Sequence, residues 1–213
     1  MLSSVLSMWP QLFNFDTVEF LAVSRELSQN EDVQLYKESV VVVRAGDSKG
    51  TGFYFSEDGY IMTNHHVIED APEILVVFDG GESHLAEVVS SDPDIDISVL
   101  RINPEDTERP ALEFTDTWEP DMPVYIIGNP LFFNYIANKG EIIGLRPDHG
   151  QGAPMLMLDA PIYKGNSGSP VINHEGEVVA VVYATTRIEH DGSRQRVGLA
   201  VPTEYFAEYL EGQ

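Results

Sequence analysis

Short runs of β-branched and aromatic residues, each closed by a glycine-bearing or acidic turn, recur along most of this chain and leave little room for long helices. From Ser39 they read SVVVVRAG, TGFYF, YIMTN, ILVVFDGG, HLAEVVSS and DISVLRI, about six strands, enough for one small barrel. Residues 104–121 then hold prolines and acids with no sustained period, the texture of a linker. A second series follows: PVYIIG, YIANKGEIIG, PMLMLDA, SPVINH, EVVAVVYATT and RVGLAV. The chain therefore reads as two similar β halves in series, residues 37–103 and 122–201. Helical spacing is confined to the ends. Asp16 and Glu19 form a capping-box pattern over residues 16–29, within an N-terminal appendage spanning 1–36. After Pro202, Phe206, Ala207 and Leu210 share a face, so a closing helix is expected over 202–213.

Charge narrows the partners. With 35 acidic and 12 basic residues among 213, the formal charge is −23, which repels phosphate backbones and anionic lipid surfaces. Nucleic acid and membrane surfaces are thus disfavoured as partners. An acidic, lysine-poor surface is also that of proteins working in high salt, where ions screen self-repulsion. A plain solvated acidic surface reads equally well, and full activity at roughly 0.1 M salt, where the Debye length is about 10 Å, would count against the halophilic reading. Cysteine is absent, so no disulfide or thiolate metal site is expected, and no cofactor is called for. The uncharged start, MLSSVLSMWPQLFNF, lacks the basic leading region of a secretory signal, and no apolar stretch is long enough to span a bilayer. The compartment stays open.

Three residues carry candidate chemistry. Ser167 sits in GNSGSP, where Gly165 and Gly168 permit a turn tight enough to aim the N–H groups of Gly165 and Ser167, on either side of Asn166, at one point. His66, in MTNHHV, follows an apolar strand; the adjacent His65 suggests a metal pair only superficially, because neighbouring side chains diverge and no acid or cysteine stands at ligand spacing. Asp96, flanked by isoleucines in DPDIDISVLRI, is the carboxylate expected to be buried, and a buried carboxylate needs a partner such as an imidazole N–H. Each has a structural alternative: a glycine turn, a core histidine, a strand cap. Together they supply the hydroxyl, base, orienting acid and oxyanion donors of nucleophilic serine catalysis.

In order and spacing, TNHHV, DIDISVL, IGNP, DAPIYKGNSGSP and GLAVP resemble the HtrA/Deg branch of the trypsin-like serine peptidases, over roughly residues 37–210. The resemblance implies an all-β fold of two six-stranded antiparallel β-barrels with short N- and C-terminal helices and a cleft between the barrels. It also implies His66 as general base, Asp96 as its orienting partner, Ser167 as nucleophile, and an oxyanion hole at Gly165, Asn166 and Ser167. Polypeptides, unfolded proteins among them, would be the substrates. Trp9, Phe13, Phe15 and Phe20 concentrate aromatic surface outside the barrels, the kind of segment through which HtrA-like proteins trimerise, although such rings more often pack on their own domain.

Departures from that pattern refine the expectation. Ser169-Pro170 after GNSG resembles the glutamyl-endopeptidase branch, but Val182 stands where that branch carries its substrate-reading histidine, so glutamate specificity is not expected. By positional analogy the specificity pocket comprises Pro161, Ile162, Val182, Tyr183, Ala184, Gly198, Leu199 and Ala200, all apolar or small apart from one phenol, which favours small or medium apolar side chains before the scissile bond. Asn166 replaces the aspartate that pairs with a freed N-terminus in digestive relatives, so cleavage-dependent activation is not expected. No PDZ domain is expected after the barrel pair. An α/β-hydrolase could draw on His174 or His190 with Asp191 after the serine, but position 169 is serine where its elbow needs glycine, and long helices alternating with parallel strands are lacking. The alternative from another class is a catalytically silent relative that keeps the barrels as a peptide-binding or chaperone-like module.

Overall fold

The computed structural model describes residues 15–104, 109–146, 153–190 and 193–210, and among side chains omits those of 15–19, 189, 190, 193 and 194. Two helices open it, α1 (Phe15–Leu27) and α2 (Glu31–Ser39). The second was not separately legible: a single residue, Val33, is its fully buried apolar anchor, and its signal is the cap. Asn30 Oδ1 accepts from the N–H groups of Asp32 and Val33 at 2.9 and 3.3 Å, with Glu31 and Asp32 in the first turn beside the positive end of the helix dipole. Trp9, Phe13, the Phe15 ring and the capping box expected of Asp16 and Glu19 lie outside the described residues and side chains.

Among the described residues, twelve strands follow and close into two antiparallel barrels of six. The first contains β1 (Val40–Ala45), β2 (Ser48–Ser56), β3 (Tyr60–Thr63), β4 (Ile74–Phe78), β5 (Ser83–Asp92) and β6 (Ile97–Arg101), in the order β1-β2-β3-β6-β5-β4. The second contains β7 (Pro123–Gly128), β8 (Ile136–Arg146), β9 (Met155–Asp159), β10 (Pro170–Ile172), β11 (Val178–His190) and β12 (Ser193–Pro202), in the order β10-β11-β12-β9-β8-β7. A one-turn helix, α3 (His65–Ile68), leaves the end of β3.

Three apolar clusters explain why several strands read as unbroken hydrophobic runs instead of alternating ones. One, with Val41, Val43, Tyr54, Ile61, Val76, Phe78 and Leu100, fills the first barrel; another, with Val124, Ile126, Ile142, Leu156, Leu158 and Val171, fills the second. The third, with Val40, Phe53, Met62, Ile127, Ile172, Val178, Val181, Val201 and Phe206, lies between them. Strands with one face in a barrel and the other at this junction are buried on both sides, as all four valines of Val40–Val43 are. The connecting segment runs along the junction, where Glu113 and Thr115 exchange backbone hydrogen bonds with Val178 at 2.8 and 3.0 Å.

The C-terminal end departs from expectation. In place of one helix, the chain makes two 3-10 turns, Thr203–Tyr205 and Ala207–Tyr209, separated by Phe206 at φ −129°. Phe206 is fully buried against Phe114 between the barrels, and this burial outweighs continuous helical hydrogen bonding. Just beyond, the Tyr209 hydroxyl donates to Asp92 Oδ2 at 2.6 Å, tying the end of the second barrel to β5 of the first. This bond raises the Tyr209 pKa to about 12 and, as the largest cause, holds Asp92 below the usual carboxylate range. Asp92 therefore adds stability above its unfolded pKa that is lost as pH falls, and Tyr209 adds stability below its unfolded pKa that is lost as pH rises toward 12. Tyr209→Phe is expected to lower the Tm by about 2–4 °C near neutral pH, the equivalent of about 1 kcal/mol after solvent screening. Thermal melts across pH should show the difference shrinking at both extremes.

Candidate active site

The first barrel supplies an imidazole and a carboxylate. Val67 and Ile68 bury themselves in the first barrel, which turns the intervening face of α3 outward and leaves the His66 side chain 42% exposed. Asp96 ends the turn between β5 and β6 in a left-handed conformation, φ 57°, with its carboxylate largely buried. Its carbonyl accepts from Asn64 Nδ2 at 2.8 Å and from the His65 N–H at 3.3 Å, so the residue is fixed from both sides. Asp96 Oδ1 then accepts the His66 backbone N–H at 2.8 Å, and Oδ2 lies 2.6 Å from His66 Nδ1. With the carboxylate as acceptor, Nδ1 carries hydrogen and Nε2 is left with a free lone pair. His65 takes a separate path, its Nδ1 lying 2.8 Å from Ser91 Oγ.

The second barrel supplies the hydroxyl, on the segment between β9 and β10. Gly165 and Gly168 take φ +102° and +85°, and a side chain at either would strike backbone, Asn129 O in one case and Thr51 O in the other. The turn is closed by the Asn166 N–H on Tyr163 O at 3.0 Å and the Ser169 N–H on Asn166 O at 2.9 Å. Across the junction, Thr51 holds it twice: its N–H donates to Ser167 O at 2.8 Å and its Oγ1 to Gly165 O at 2.7 Å. The Lys164 carbonyl accepts from the Leu131 N–H at 2.8 Å, which fixes the Gly165 N–H on the opposite edge of the same peptide plane. Among the described residues, the N–H groups of Gly165 and Ser167 donate to no other group.

His66, Gly165 and Ser167 line one cleft of about 520 Å³, together with Lys49, Phe132 and Lys164. The Ser167 hydroxyl donates to Tyr183 O at 3.3 Å, and among the described residues no hydrogen bond joins it to His66. The Tyr183 ring stands edge-on to the imidazole, centroids 6.0 Å apart, so both groups flank the same residue. Of the expected pocket residues, Val182 and Ala200 are fully buried in the second barrel's core and Ile162 nearly so, while Leu199 is buried outside that cluster. Ile162 Cδ1 occupies the space a side chain at Gly198 would take. Pro161 is exposed, and Tyr183 and Ala184 are half-buried. No group of three or more histidine, aspartate or glutamate side chains at metal-binding spacing occurs among the described residues. Nor is any described helix long and apolar enough to cross a membrane.

Sequence reasoning missed Thr51, Asn129 and the cleft lysines. Asn129 is fully buried between the barrels: its N–H donates to Thr51 Oγ1 at 3.0 Å, its Nδ2 to Val41 O at 2.9 Å, and its Oδ1 accepts the Tyr135 N–H at 3.0 Å. A polar residue inside the IGNP motif was the available signal.

Residues 50–181, more than half of the chain, match the model of the trypsin-like peptidase domain. The chain belongs to that family. Its relatives include a protein of Pseudomonas fluorescens named "Probable periplasmic serine endoprotease DegP-like", 36% identical over 140 residues, or 65% of this chain and 29% of that protein. A protein of the same name from Chlamydia trachomatis is 36% identical over 160 residues, 73% of this chain and 31% of that one. The trypsin-like chain thus spans about a third of the length of these relatives. Among solved structures, the serine endoprotease from Yersinia pestis superposes with a TM-score of 0.72 at 30% identity, covering 85% of this chain and 65% of that one. A variant of the HtrA-type protease AlgW with a tripeptide superposes with a TM-score of 0.74 at 26% identity over 84% of this chain and 61% of that one, so the HtrA-type likeness and the two-barrel fold expected from the motifs hold.

Proposed function

We propose that this trypsin-like domain is a serine endopeptidase in which Ser167 is the nucleophile, His66 the general base and Asp96 the residue that orients and charge-stabilises the imidazole. The observation carrying the reading is that His66, held from behind by Asp96, shares a cleft with Ser167 beside two undonated amides. Rotation about the Ser167 Cα–Cβ bond exchanges the long contact with Tyr183 O for one with His66 Nε2. His66 then takes the hydroxyl proton as Oγ attacks the substrate carbonyl carbon, and the N–H groups of Gly165 and Ser167 stabilise the oxyanion. The imidazolium gives the proton to the leaving amine as the C–N bond breaks, leaving an acyl-Ser167 ester. Water, deprotonated by His66, hydrolyses that ester and regenerates the hydroxyl.

Side chains before the scissile bond would meet Tyr183, Ala184 and a floor already filled by Ile162, a shallow apolar site for alanine, valine or leucine. Polypeptides, unfolded ones included, are the proposed substrates. A second reading, the silent peptide-binding module, is favoured by the Ser167 hydroxyl bonding Tyr183 O in place of His66. A fluorophosphonate probe separates them: labelling lost in Ser167→Ala marks the enzyme, and no labelling of the native chain at any salt concentration marks the binder. With labelling established, a peptide library should be cut after small or medium apolar residues; cleavage mainly after Arg, Lys or Glu contradicts the pocket assignment.

A further inference from the structure

The segment carrying Ser167 is gripped on one side and propped on the other. Toward the first barrel, Thr51 binds the carbonyls of Gly165 and Ser167 directly. On the side facing α1 and β8 the segment borders a cavity of about 470 Å³, whose walls include Phe20 and Val23 of α1, Asn138 of β8, and Pro161, Ile162 and Tyr163. The Phe20 ring reaches across. Of the two readings open to the aromatics outside the barrels, self-association or packing on their own domain, Phe20 takes the second: it is 3% exposed and meets Tyr163 edge to face, centroids 4.9 Å apart at 75°. Arg196 sits 5.9 Å from the same tyrosine ring. α1 is itself held on β8 by Ser24, whose Oγ accepts the Ala137 N–H at 3.2 Å.

Tyr163 is well placed to pass a displacement on. Its carbonyl accepts the Asn166 N–H at 3.0 Å, closing the turn that sets Gly165 at φ +102° and presents Ser167. A ring that borders a cavity has room to shift when the neighbouring ring packed against it is removed. The triad side chains would be untouched by such a shift, whereas the direction of the Gly165 N–H would not.

We infer that α1 sets the activity of this site through Phe20, a positioning residue that holds Tyr163 and thereby the amide donor at Gly165. The inference rests on the peptidase reading proposed above. Release of α1 from β8 slows acylation without removing any reacting group, so the helix is a point at which activity can be regulated from outside the cleft.

The test compares Phe20→Ala, Phe20→Tyr and Val23→Ala in the full chain with a peptide substrate and the fluorophosphonate probe. Phe20→Ala is expected to lower kcat about 10- to 100-fold with KM changed less than about threefold, the scale of a misplaced reacting group or weakened oxyanion donor. Phe20→Tyr, which keeps the ring, retains kcat, and millimolar toluene filling the enlarged cavity restores part of the rate of Phe20→Ala. Val23→Ala, on the same cavity but away from Tyr163 in this pairing, lowers the Tm without lowering kcat. A Phe20→Ala protein with lowered Tm and native kcat overturns the inference. Should that variant fail to fold, Phe20→Leu decides, since it keeps apolar bulk but loses the ring edge; native kcat there overturns the inference as well. Absence of labelling in the native chain would instead overturn the peptidase reading itself.

Discussion

Ser167→Ala and His66→Ala are each expected to lower kcat/KM by about 10⁴- to 10⁶-fold, with the double variant no worse than either single one. The reason is chemical: without Oγ there is no acyl acceptor, and without the imidazole nothing in the cleft takes the hydroxyl proton at neutral pH. The fold should survive both changes. His66 projects from α3 into solvent, and Ser167 is held in its turn by backbone bonds from Thr51 that a methyl side chain leaves intact. Steady-state kinetics on a peptide substrate, with melting temperatures measured alongside, check both halves. A fall in activity explained by unfolding, or residual activity within tenfold of native, contradicts the assigned roles.

Thr51→Val is expected to be the most damaging substitution for stability among residues near the site. Valine matches threonine in shape, so the effect isolates the hydroxyl. Its loss orphans two fully buried partners, the Gly165 carbonyl and the Asn129 N–H, at about 1–3 kcal/mol each, or about 2–6 kcal/mol together. Chemical denaturation should report this as a lower midpoint with an unchanged slope. Activity should fall as well at temperatures where the variant remains folded, because the Gly165 carbonyl loses its bond across the junction to the first barrel.

What the sequence disclosed depended on how local the determinants are. Strands were legible because β-branched runs bounded by turns need no knowledge of partners, and Asp96 stood out because isoleucines flank it on both sides. The site's scaffold was hidden for the opposite reason: Thr51 and Gly165 are 114 positions apart, Asn129 and Val41 88 apart. Periodicity misled at the C-terminus, where Phe206, Ala207 and Leu210 share helical spacing but Phe206 is drawn into the junction and breaks the helix. It was equally silent on Phe20, since an aromatic beyond the barrels looks alike whether it meets solvent or Tyr163.

The division of the candidate triad between two closed barrels bears on biosynthesis. His66 and Asp96 emerge from the ribosome well before Ser167, and the wall beside Ser167 is completed only when β12 pairs with both β9 and β11. A nascent chain therefore holds a base with nothing to deprotonate, and a truncated one holds a hydroxyl in an open sheet. On the peptidase reading proposed above, a chain whose β12 has not yet paired carries the hydroxyl without the wall that shapes its surroundings.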